Sequence, residues 1–469
     1  MPLFKKPIEQ EFFSLRLRAG RPMTELEFYA RELTDWETSP ERREMIDGDR
    51  YYTGDHDILK RQRTAIGPDG KLIVIENLPN NRIVDNQYAK HVDQKANYLL
   101  GQPISFSCEN DDYAAEVKKV LGMRFMRTLK SAGVECLNAG ISWLYPYYNK
   151  NGELAFRVFP GYEIMPFWAD AAHTELDSAL RLYPVEVYYG TEKKIVKKVD
   201  LFTLEGVTTY IFENGVLTPD TEKQAYVKVK DSKGNEQPLN WERFPLIPIK
   251  YNPKEVPLIR RGRSLQDAIN LLQSDFVNNM EEDVRNTVLV LKNYDGQDLG
   301  EFRRNLTTYG AIKVRTVEGT DGGVDSLEIS VNSENYKTVL ELLKKALIEN
   351  LRSYDAKDDR LSGTPNQMNI QSMYCDIDLD ANAMETELQA SFEEILWFVN
   401  TYLANTGKGS YESEDITVIF NRDILINESE AIDNCSKSVG IISDETIVAM
   451  HPWVDDPAAE LERLEKQKE

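Results

Sequence analysis

The feature that most constrains the fold is the stretch 366–405, which contains neither glycine nor proline. Apolar residues recur along its second half at spacings of three and four, the period at which side chains share one face of an α-helix. The stretch therefore allows one helix of about 40 residues, roughly 60 Å long, which is far beyond an ordinary globular helix. The apolar set is Ala381, Met384, Leu388, Phe392, Ile395, Leu396, Val399 and Leu403.

Asp376, Asp378 and Asp380 are poor helix formers within this stretch, so we expect a kink or break there. A shorter helix is predicted from residue 332, with its own apolar stripe. The residues between the two helices, 355–365, are polar and end in helix breakers, which predicts a loop. A charged loop between two such helices suggests an element that reaches into a central space. A long helical hairpin in a large soluble domain is the plainer alternative. The shorter helix carries Tyr336, Val339, Leu340, Leu343, Leu347 and Leu351.

Composition narrows the class of protein. The chain has 469 residues, 41% hydrophobic and 29% charged, which predicts two to four domains of a soluble, core-forming protein. No apolar run is long enough to span a membrane, and the N-terminus lacks the apolar core of a secretory signal. Four scattered cysteines without a CxxC pair indicate reduced cytosolic thiols and not a zinc site.

The formal net charge of −22 argues against tight DNA binding over a broad surface, because such binding draws its affinity from neutralised phosphates. The acidity is compatible with a surface that DNA must slide past. Such a surface should repel phosphates, since adhesion would stop the movement.

Before residue 366, the spacing of the apolar residues changes from the helical period to a period of two and back. Helices are predicted at 24–33, 83–99, 111–121 and 124–139, with Gly101 in the C′ position after the second and Gly140 closing the last. From 141 to 251 the period is two, with two of the strands at 179–183 and 185–189, which predicts a mostly antiparallel β domain. Its many tyrosines are interpreted as core and cross-strand pairs, and a base-stacking platform is the alternative.

The next segment begins with Ser264 as a helix cap, and its helix runs to 286 with Leu265, Ile269, Leu272, Phe276, Met280 and Val284 on one face. Basic residues gather at the start of this helix and acidic residues at its end. The helix dipole prefers the opposite order, so the pattern needs a reason outside the helix.

Short β segments at 287–292, 311–315 and 324–329, with a short helix at 299–305, predict a small α/β insertion within 287–331. A strand at 415–420 and helices that start near Ser429, Ser443 and Asp456 follow the long helix. The fold class is therefore α+β.

The chemistry-bearing motifs for nucleotide binding, metalloprotease and serine hydrolase activity are missing from the sequence, and no cofactor is predicted. His56 lies between Asp55 and Asp57 and is a candidate acid or base, but a solvated loop histidine is the favoured interpretation. Asp376, Asp378 and Asp380 can hold Mg²⁺ if their segment is extended, whereas a helix directs them apart. An enzyme that acts on phosphate substrates through them is the alternative function.

The order of elements resembles the portal protein of tailed bacteriophages, in the siphophage type that infects Gram-positive bacteria. The resemblance covers nearly the whole chain. It departs after residue 364, where family members often continue with small residues and this chain has Pro365. The motifs that carry it are residues 51–59, 81–86 running into 98–103, 361–364 before the long helix, and 442–446 with 455–457.

The resemblance implies an architecture in segments: a wing (1–260, β-rich from about 141), a first stem helix (261–286), a clip (287–331), a second stem helix (332–354), a tunnel loop (355–365), a long kinked wing helix (366–405), and a wing end with an α-helical crown (406–469). It implies that Lys357, Asp358, Asp359 and Arg360 contact DNA at the tip of the loop. In this architecture, the basic residues of the two stem helices would be Arg261, Arg263, Lys344 and Lys345.

The function that the resemblance implies is a ring of about twelve subunits at one capsid vertex, through which double-stranded DNA is packaged and later ejected. Its partners would be the terminase large subunit, the scaffolding and major capsid proteins, and head-completion adaptors, with no membrane contact. The protein would reside in the virion after assembly in the bacterial cytoplasm and would not be an enzyme.

Overall fold

The structure is a computed structural model that describes residues 24–66, 69–75, 78–230, 236–283, 288–292, 323–327, 333–355, 367–422, 428–454 and 457–468. The chain divides into two compact units. The first unit is drawn from residues 1–54, 86–263 and 348–469, and the second from 55–85 and 264–347.

The helices are α1 (Glu25–Glu37), α2 (Pro40–Tyr52), α3 (Gln87–Leu100), α4 (Asp111–Val120), α5 (Met123–Ala139), α6 (Ile259–Asp283), α7 (Ser333–Asn350), α8 (Gln367–Asn405), α9 (Glu428–Ser438), α10 (Asp444–Ala449) and α11 (Pro457–Lys468). Single 3₁₀ turns lie at Asp57–Lys60 and Gly161–Glu163. Among the described residues, no helix is long and apolar enough to cross a membrane.

The strands are β1 (Thr64–Ile66), β2 (Leu72–Val74), β3 (Ser105–Ser107), β4 (Ile141–Tyr148), β5 (Leu154–Phe159), β6 (Ile164–Trp168), β7 (Leu176–Tyr189), β8 (Glu192–Thr203), β9 (Gly206–Glu213), β10 (Val216–Pro219), β11 (Val227–Lys230), β12 (Glu236–Leu239), β13 (Ile247–Lys250), β14 (Val288–Lys292), β15 (Gly323–Leu327) and β16 (Thr417–Ile419). All pairings between these strands are antiparallel.

A five-stranded sheet in the order β10-β9-β8-β7-β6 and a three-stranded sheet in the order β13-β4-β5 form the β region of the first unit. The alternation of β7 sends Leu180 and Leu182 to one core, where they pack with Phe28 and Leu33 of α1. Ala179 turns to the other face and joins a second core. The antiparallel strands predicted for this region are confirmed.

Strand β7 runs through Pro184, where the sequence had suggested two separate strands. Pro184 pairs with Lys197 of β8 on one side, while the β6 ladder on the other side ends at Arg181. Proline is tolerated here because its missing N–H faces no neighbouring strand.

Helix α8 is uninterrupted over 39 residues, so the break expected at 376–380 is wrong, while a kink there stays a prediction. All members of its predicted apolar set except Leu396 are buried. Burial on one face outweighs the low helix propensity of the aspartates, since propensity differences amount to less than about 1 kcal/mol per residue.

Several predicted boundaries need correction. Helix α6 begins at Ile259, so Ser264 lies inside the helix and does not cap it. Gly140 adopts the left-handed conformation expected where α5 ends, but Gly101 has φ −77° and does not. Of the predicted apolar face of α6, Ile269 is fully buried and Met280 is 53% exposed. The segment at 40–52, which carried no helix prediction, forms α2.

The predicted insertion is described in part. Strands β14 and β15 pair antiparallel, from Val288 opposite Leu327 to Lys292 opposite Gly323. This confirms the strands predicted at 287–292 and 324–329. The strand predicted at 311–315 and the short helix at 299–305 lie outside the described residues, as does the helix cap predicted at Asp456.

Candidate functional site

The residues predicted to contact DNA, Lys357, Asp358, Asp359 and Arg360, lie outside the described residues. The described chain reaches residue 355 after α7 and resumes at Gln367, the first residue of α8. The segment between these two points is the loop predicted from the sequence. We call residues 352–355 the entry root of the predicted loop and residues 367–380 its exit root. The candidate site is built from these two segments.

The side chain of Asp380, in the exit root, is the centre of a buried group of charges. Its Oδ2 accepts hydrogen bonds from Lys95 Nζ at 2.7 Å and from the Tyr251 hydroxyl at 2.6 Å. Its Oδ1 accepts one from Arg261 at 3.1 Å and lies 3.7 Å from the guanidinium of Arg352. We call these five residues the Asp380 cluster. It joins α3, α6, α8 and the entry root around one carboxylate.

Lys95 is buried because of its position on α3. It follows Tyr88 and Val92 by seven and three residues, so all three share the helix face that packs into the core. The Lys95 side chain is 4% exposed and that of Asp380 is 6% exposed. A buried charge requires a partner and further hydrogen bonds, and the cluster supplies both.

Burial has opposite effects on the two ionisable partners. It lowers the pKa of Lys95, a shift that attraction to Asp380 opposes. Burial alone would raise the pKa of Asp380, but Lys95, Tyr251 and Arg261 together hold that pKa below its ordinary value. The pKa of Tyr251 is raised, first by burial and then by the Asp380 charge. The carboxylate is therefore ionised at neutral pH.

Two neighbouring side chains of α3 bind the backbone of the entry root. Lys95 Nζ donates to the carbonyl oxygen of Arg352 at 3.0 Å, and Gln94 Nε2 donates to that of Tyr354 at 3.3 Å. The ring of Tyr354 also lies 4.7 Å from that of Tyr374 in the exit root, and Tyr374 stacks on Tyr98 of α3 at 5.7 Å. The start and the end of the loop are thereby attached to the same helix.

Helix α7 ends with an arginine where glycine is usual. Arg352 has φ +50°, its N–H donates to Glu349, and the N–H of Ser353 donates to Ile348. This is the hydrogen-bond pattern of a Schellman cap, whose left-handed residue is most often glycine. An arginine costs about 1 kcal/mol more in this conformation, so its presence calls for a compensating contact. The Asp380 cluster provides one.

The other aspartates of the predicted metal site point elsewhere. Asp378 accepts a hydrogen bond from the Tyr98 hydroxyl at 3.0 Å and pairs with Arg422, which also contacts Glu385 at 2.6 Å. Asp376 is exposed. In the part of the chain that the structure describes, no group of three or more histidine, cysteine or acidic residues is arranged to hold a metal ion. The helix directs the three carboxylates apart.

The basic residues at the start of α6 pair with acidic residues outside this helix, which explains their unfavourable order along the helix dipole. Arg260 pairs with Glu44 of α2 through Nε at 2.6 Å, and Arg263 pairs with Asp47 of α2 at 2.6 Å. Arg261 belongs to the Asp380 cluster. Three ion pairs therefore offset an unfavourable position in the helix dipole.

Among the other residues named for the stem, Lys344 pairs with Asp85 at 2.7 Å within the second unit, and Lys345 is exposed.

The second unit contains a row of buried polar side chains, which we call the polar ladder and which the apolar pattern of the sequence did not predict. Its members lie on one face of α6 at intervals of four and are fully buried: Gln266, Asn270, Ser274 and Asn278. They bind the extended segment 81–85, which we call the strap. Four helical residues rise about 6 Å, close to the roughly 6.6 Å of two extended residues, so the two backbones stay in register.

The hydrogen bonds of the ladder follow this register. The N–H groups of Asn81, Ile83 and Asp85 donate to the side-chain oxygens of Asn278 at 2.7 Å, Ser274 at 2.9 Å and Asn270 at 3.0 Å. Gln266 Nε2 donates to the Asp85 carbonyl at 2.7 Å. The sequence feature that indicates such a ladder is a polar residue at every fourth position of a predicted helix.

His56 also belongs to this ladder, and the prediction that it is solvated is wrong. The residue is fully buried, and its Nδ1 lies 2.7 Å from the Nδ2 of Asn270. Because the Asn270 oxygen accepts from Asp85 and Gln266, its nitrogen is the donor and His56 Nδ1 is the acceptor. This is a structural hydrogen bond.

A titratable carboxyl lies on α5, beside an open groove of about 720 Å³ that Tyr52, Asp93 and Met126 also line. Burial raises the pKa of Glu135 to about 7, and the nearby charges of Asp49 and Glu163 add to the shift. This carboxyl changes charge near neutral pH.

Comparison with known proteins identifies the family. The family described as "Phage portal protein, SPP1 Gp6-like" matches residues 37–469. The portal protein of Bacillus phage SPP1 is 31% identical over 427 residues, which cover 90% of this chain and 83% of that protein. The portal protein of Clostridium phage phiCD119 is 27% identical over 440 residues, covering 91% and 93%.

A solved structure titled "Virion of native gene transfer agent (GTA) particle" aligns with a TM-score of 0.38 at 12% identity, over 76% of this chain and 87% of that one. The assignment rests on the sequence matches, which confirm the resemblance drawn from the motifs. The chain belongs to the family of SPP1-type phage portal proteins.

Proposed function

We propose that this portal protein forms a ring of about twelve subunits at one capsid vertex and that double-stranded DNA is packaged and ejected through the ring. The observation that supports the proposal is the family match over residues 37–469. The net charge of −22 agrees with a channel that does not retain DNA.

We assign the elements to the parts of such a ring as follows. Helices α6 and α7 are the stem, and the segment between them, with β14 and β15, is the clip that meets the terminase large subunit and later the head-completion adaptors. The segment before α6 is the wing, the long helix α8 connects the wing to the crown, and the helices after β16 form the crown. Scaffolding and major capsid proteins meet the outside of the ring.

The loop between the two roots contacts DNA in this proposal. Lys357 and Arg360 can attract phosphates, while Asp358 and Asp359 limit that attraction, so each contact is weak and non-specific. Weak contacts of this kind permit continuous movement of the duplex.

Native mass spectrometry with negative-stain imaging of the purified chain tests the ring. Closed rings of about a dozen subunits with a central hole are expected. A monomer or dimer over a wide range of concentrations would overturn the proposal.

Deletion of residues 358–360 tests the role of the loop. We expect rings to form normally and DNA packaging to be impaired. A variant with alanine at all three positions keeps the length of the loop and separates the effect of charge from that of length. Packaging at the wild-type rate in both variants, or a failure of rings to form, would contradict the assignment.

A further inference from the structure

The entry and exit roots of the loop are tied to one another through α3. Lys95 and Gln94 bind two carbonyl groups of the entry root, those of Arg352 and Tyr354. The same Lys95 ammonium binds Asp380, fourteen residues into the helix that leaves the loop. A single side chain therefore links the segment that enters the loop with the helix that follows it.

A buried ion pair of this kind contributes little to the free energy of unfolding. Replacing a buried ion pair with well-packed apolar residues is often neutral or stabilising, because both charges must be removed from water. What the pair adds over apolar packing is geometry, since an ammonium group with two oxygen partners fixes both of them at hydrogen-bond distance. The buried lysine is thus better suited to fixing a position than to strengthening a core.

The cap of α7 supports the same interpretation. At the left-handed position of this cap a glycine would avoid steric strain, yet the chain has Arg352. Its carbonyl accepts from Lys95 and its guanidinium faces Asp380 at 3.7 Å. Both the backbone and the side chain of the residue that ends α7 are directed at the cluster.

We propose that Lys95, held by Asp380, is a positioning residue that fixes the entry root relative to α8 and so sets where the loop 356–366 is presented. This inference rests on the proposed function of that loop as the segment that contacts DNA. In a ring, each subunit's entry root would be fixed in the same way.

The test compares Lys95→Met with Arg422→Met in intact rings. Both changes replace a cation that pairs with an aspartate of α8 by an apolar side chain. Lys95 holds the entry root, whereas Arg422 binds Asp378 and Glu385 and does not contact that root. The measurements are hydrogen–deuterium exchange of the amides of residues 353–355, the unfolding temperature, and the rate of DNA packaging.

Lys95→Met should accelerate exchange at residues 353–355 by about tenfold or more, the effect of losing one charge-assisted hydrogen bond. Packaging should slow several-fold although rings form. Arg422→Met should leave exchange at these amides within about twofold of wild type, whatever it does to the unfolding temperature. Equal exchange in wild type and Lys95→Met, or equal acceleration in both variants, would overturn the inference.

Gln94→Ala provides a second arm in case Lys95→Met does not fold. It removes the bond to the Tyr354 carbonyl and also the contact between Gln94 Oε1 and His91 Nδ1, which lies within α3 and does not reach the entry root. Exchange at residue 355 should rise about fivefold. Unchanged exchange in this variant would count against the inference. Wild-type rings that fail to package DNA would refute the proposed function instead, and the exchange measurements would still decide whether Lys95 fixes the entry root.

Discussion

Replacing Asn270 with alanine should weaken the attachment of the strap to α6. Asn270 makes three hydrogen bonds in a fully buried position, to the Asp85 N–H, to Gln266 and to His56, and only the first of them joins α6 to the strap. Its loss leaves the buried Asp85 N–H without an acceptor, which costs about 1–2 kcal/mol in the closed state. A change of about 1.4 kcal/mol is a factor of ten in an equilibrium, so local opening of the strap should become roughly tenfold more frequent.

Hydrogen–deuterium exchange resolves this opening without requiring that the whole chain unfold in two states. The amides to follow are those of Asn81, Ile83 and Asp85, whose acceptors lie on the ladder. Asn279→Ala is the matched control because Asn279 lies on the same helix and donates one hydrogen bond, to the Tyr336 hydroxyl, outside the strap.

In the control, strap amides should exchange at the wild-type rate. If Asn270→Ala and Asn279→Ala had the same effect on these three amides, the ladder would not be what holds the strap. If faster exchange were confined to Asp85, the three hydrogen bonds of the strap would open independently, and the strap would not open as one unit.

Two further predictions concern a buried carboxyl group and the backbone conformation of glycine. The raised pKa of Glu135 means that the folded protein binds this proton more tightly than the unfolded chain, so stability falls as pH rises from about 4.5 to about 7. Glu135→Gln should therefore unfold at a higher temperature than wild type at pH 8, and the difference should vanish near pH 4.5. Gly140→Ala should be strongly destabilising, because φ is +82° and the new Cβ would lie 2.2 Å from the carbonyl oxygen of Glu255. Gly152→Ala, with φ +76° and open space around it, should cost only about 1 kcal/mol, and thermal unfolding compares the two.

The parts of the fold that periodicity reveals were predictable. The hairpin of β4 and β5, the long β7–β9 meander and the buried stripe of α8 all follow from patterns of two or of three and four. Helix α2 was missed because its sequence is charged and contains Gly48, a poor helix former. Its glycine is explained by packing, since a Cβ there would lie 2.0 Å from the carbonyl oxygen of Asn138.

The candidate site was less accessible to sequence reasoning. The positions of the aspartates in α8 were noted, but as possible metal ligands, because nothing near them in the chain shows their partners. Lys95 is 285 residues from Asp380, and Tyr251 and Arg261 are 129 and 119 residues away. The arginine cluster at the start of α6 did indicate an external partner, because it opposes the helix dipole, but the sequence did not show which acidic residues pair with it.

That separation along the chain also sets an order of events during synthesis. At about 5–20 residues per second, residue 380 is made roughly 15–60 s after residue 95. During this interval the ammonium group of Lys95 cannot pair with a carboxylate of α8. Burial of the unpaired ammonium would cost several kcal/mol. The native contact of Lys95 with Asp380 therefore forms only after more than half of the protein has been made. The first unit thus reaches its complete set of contacts only when α8 has been synthesised.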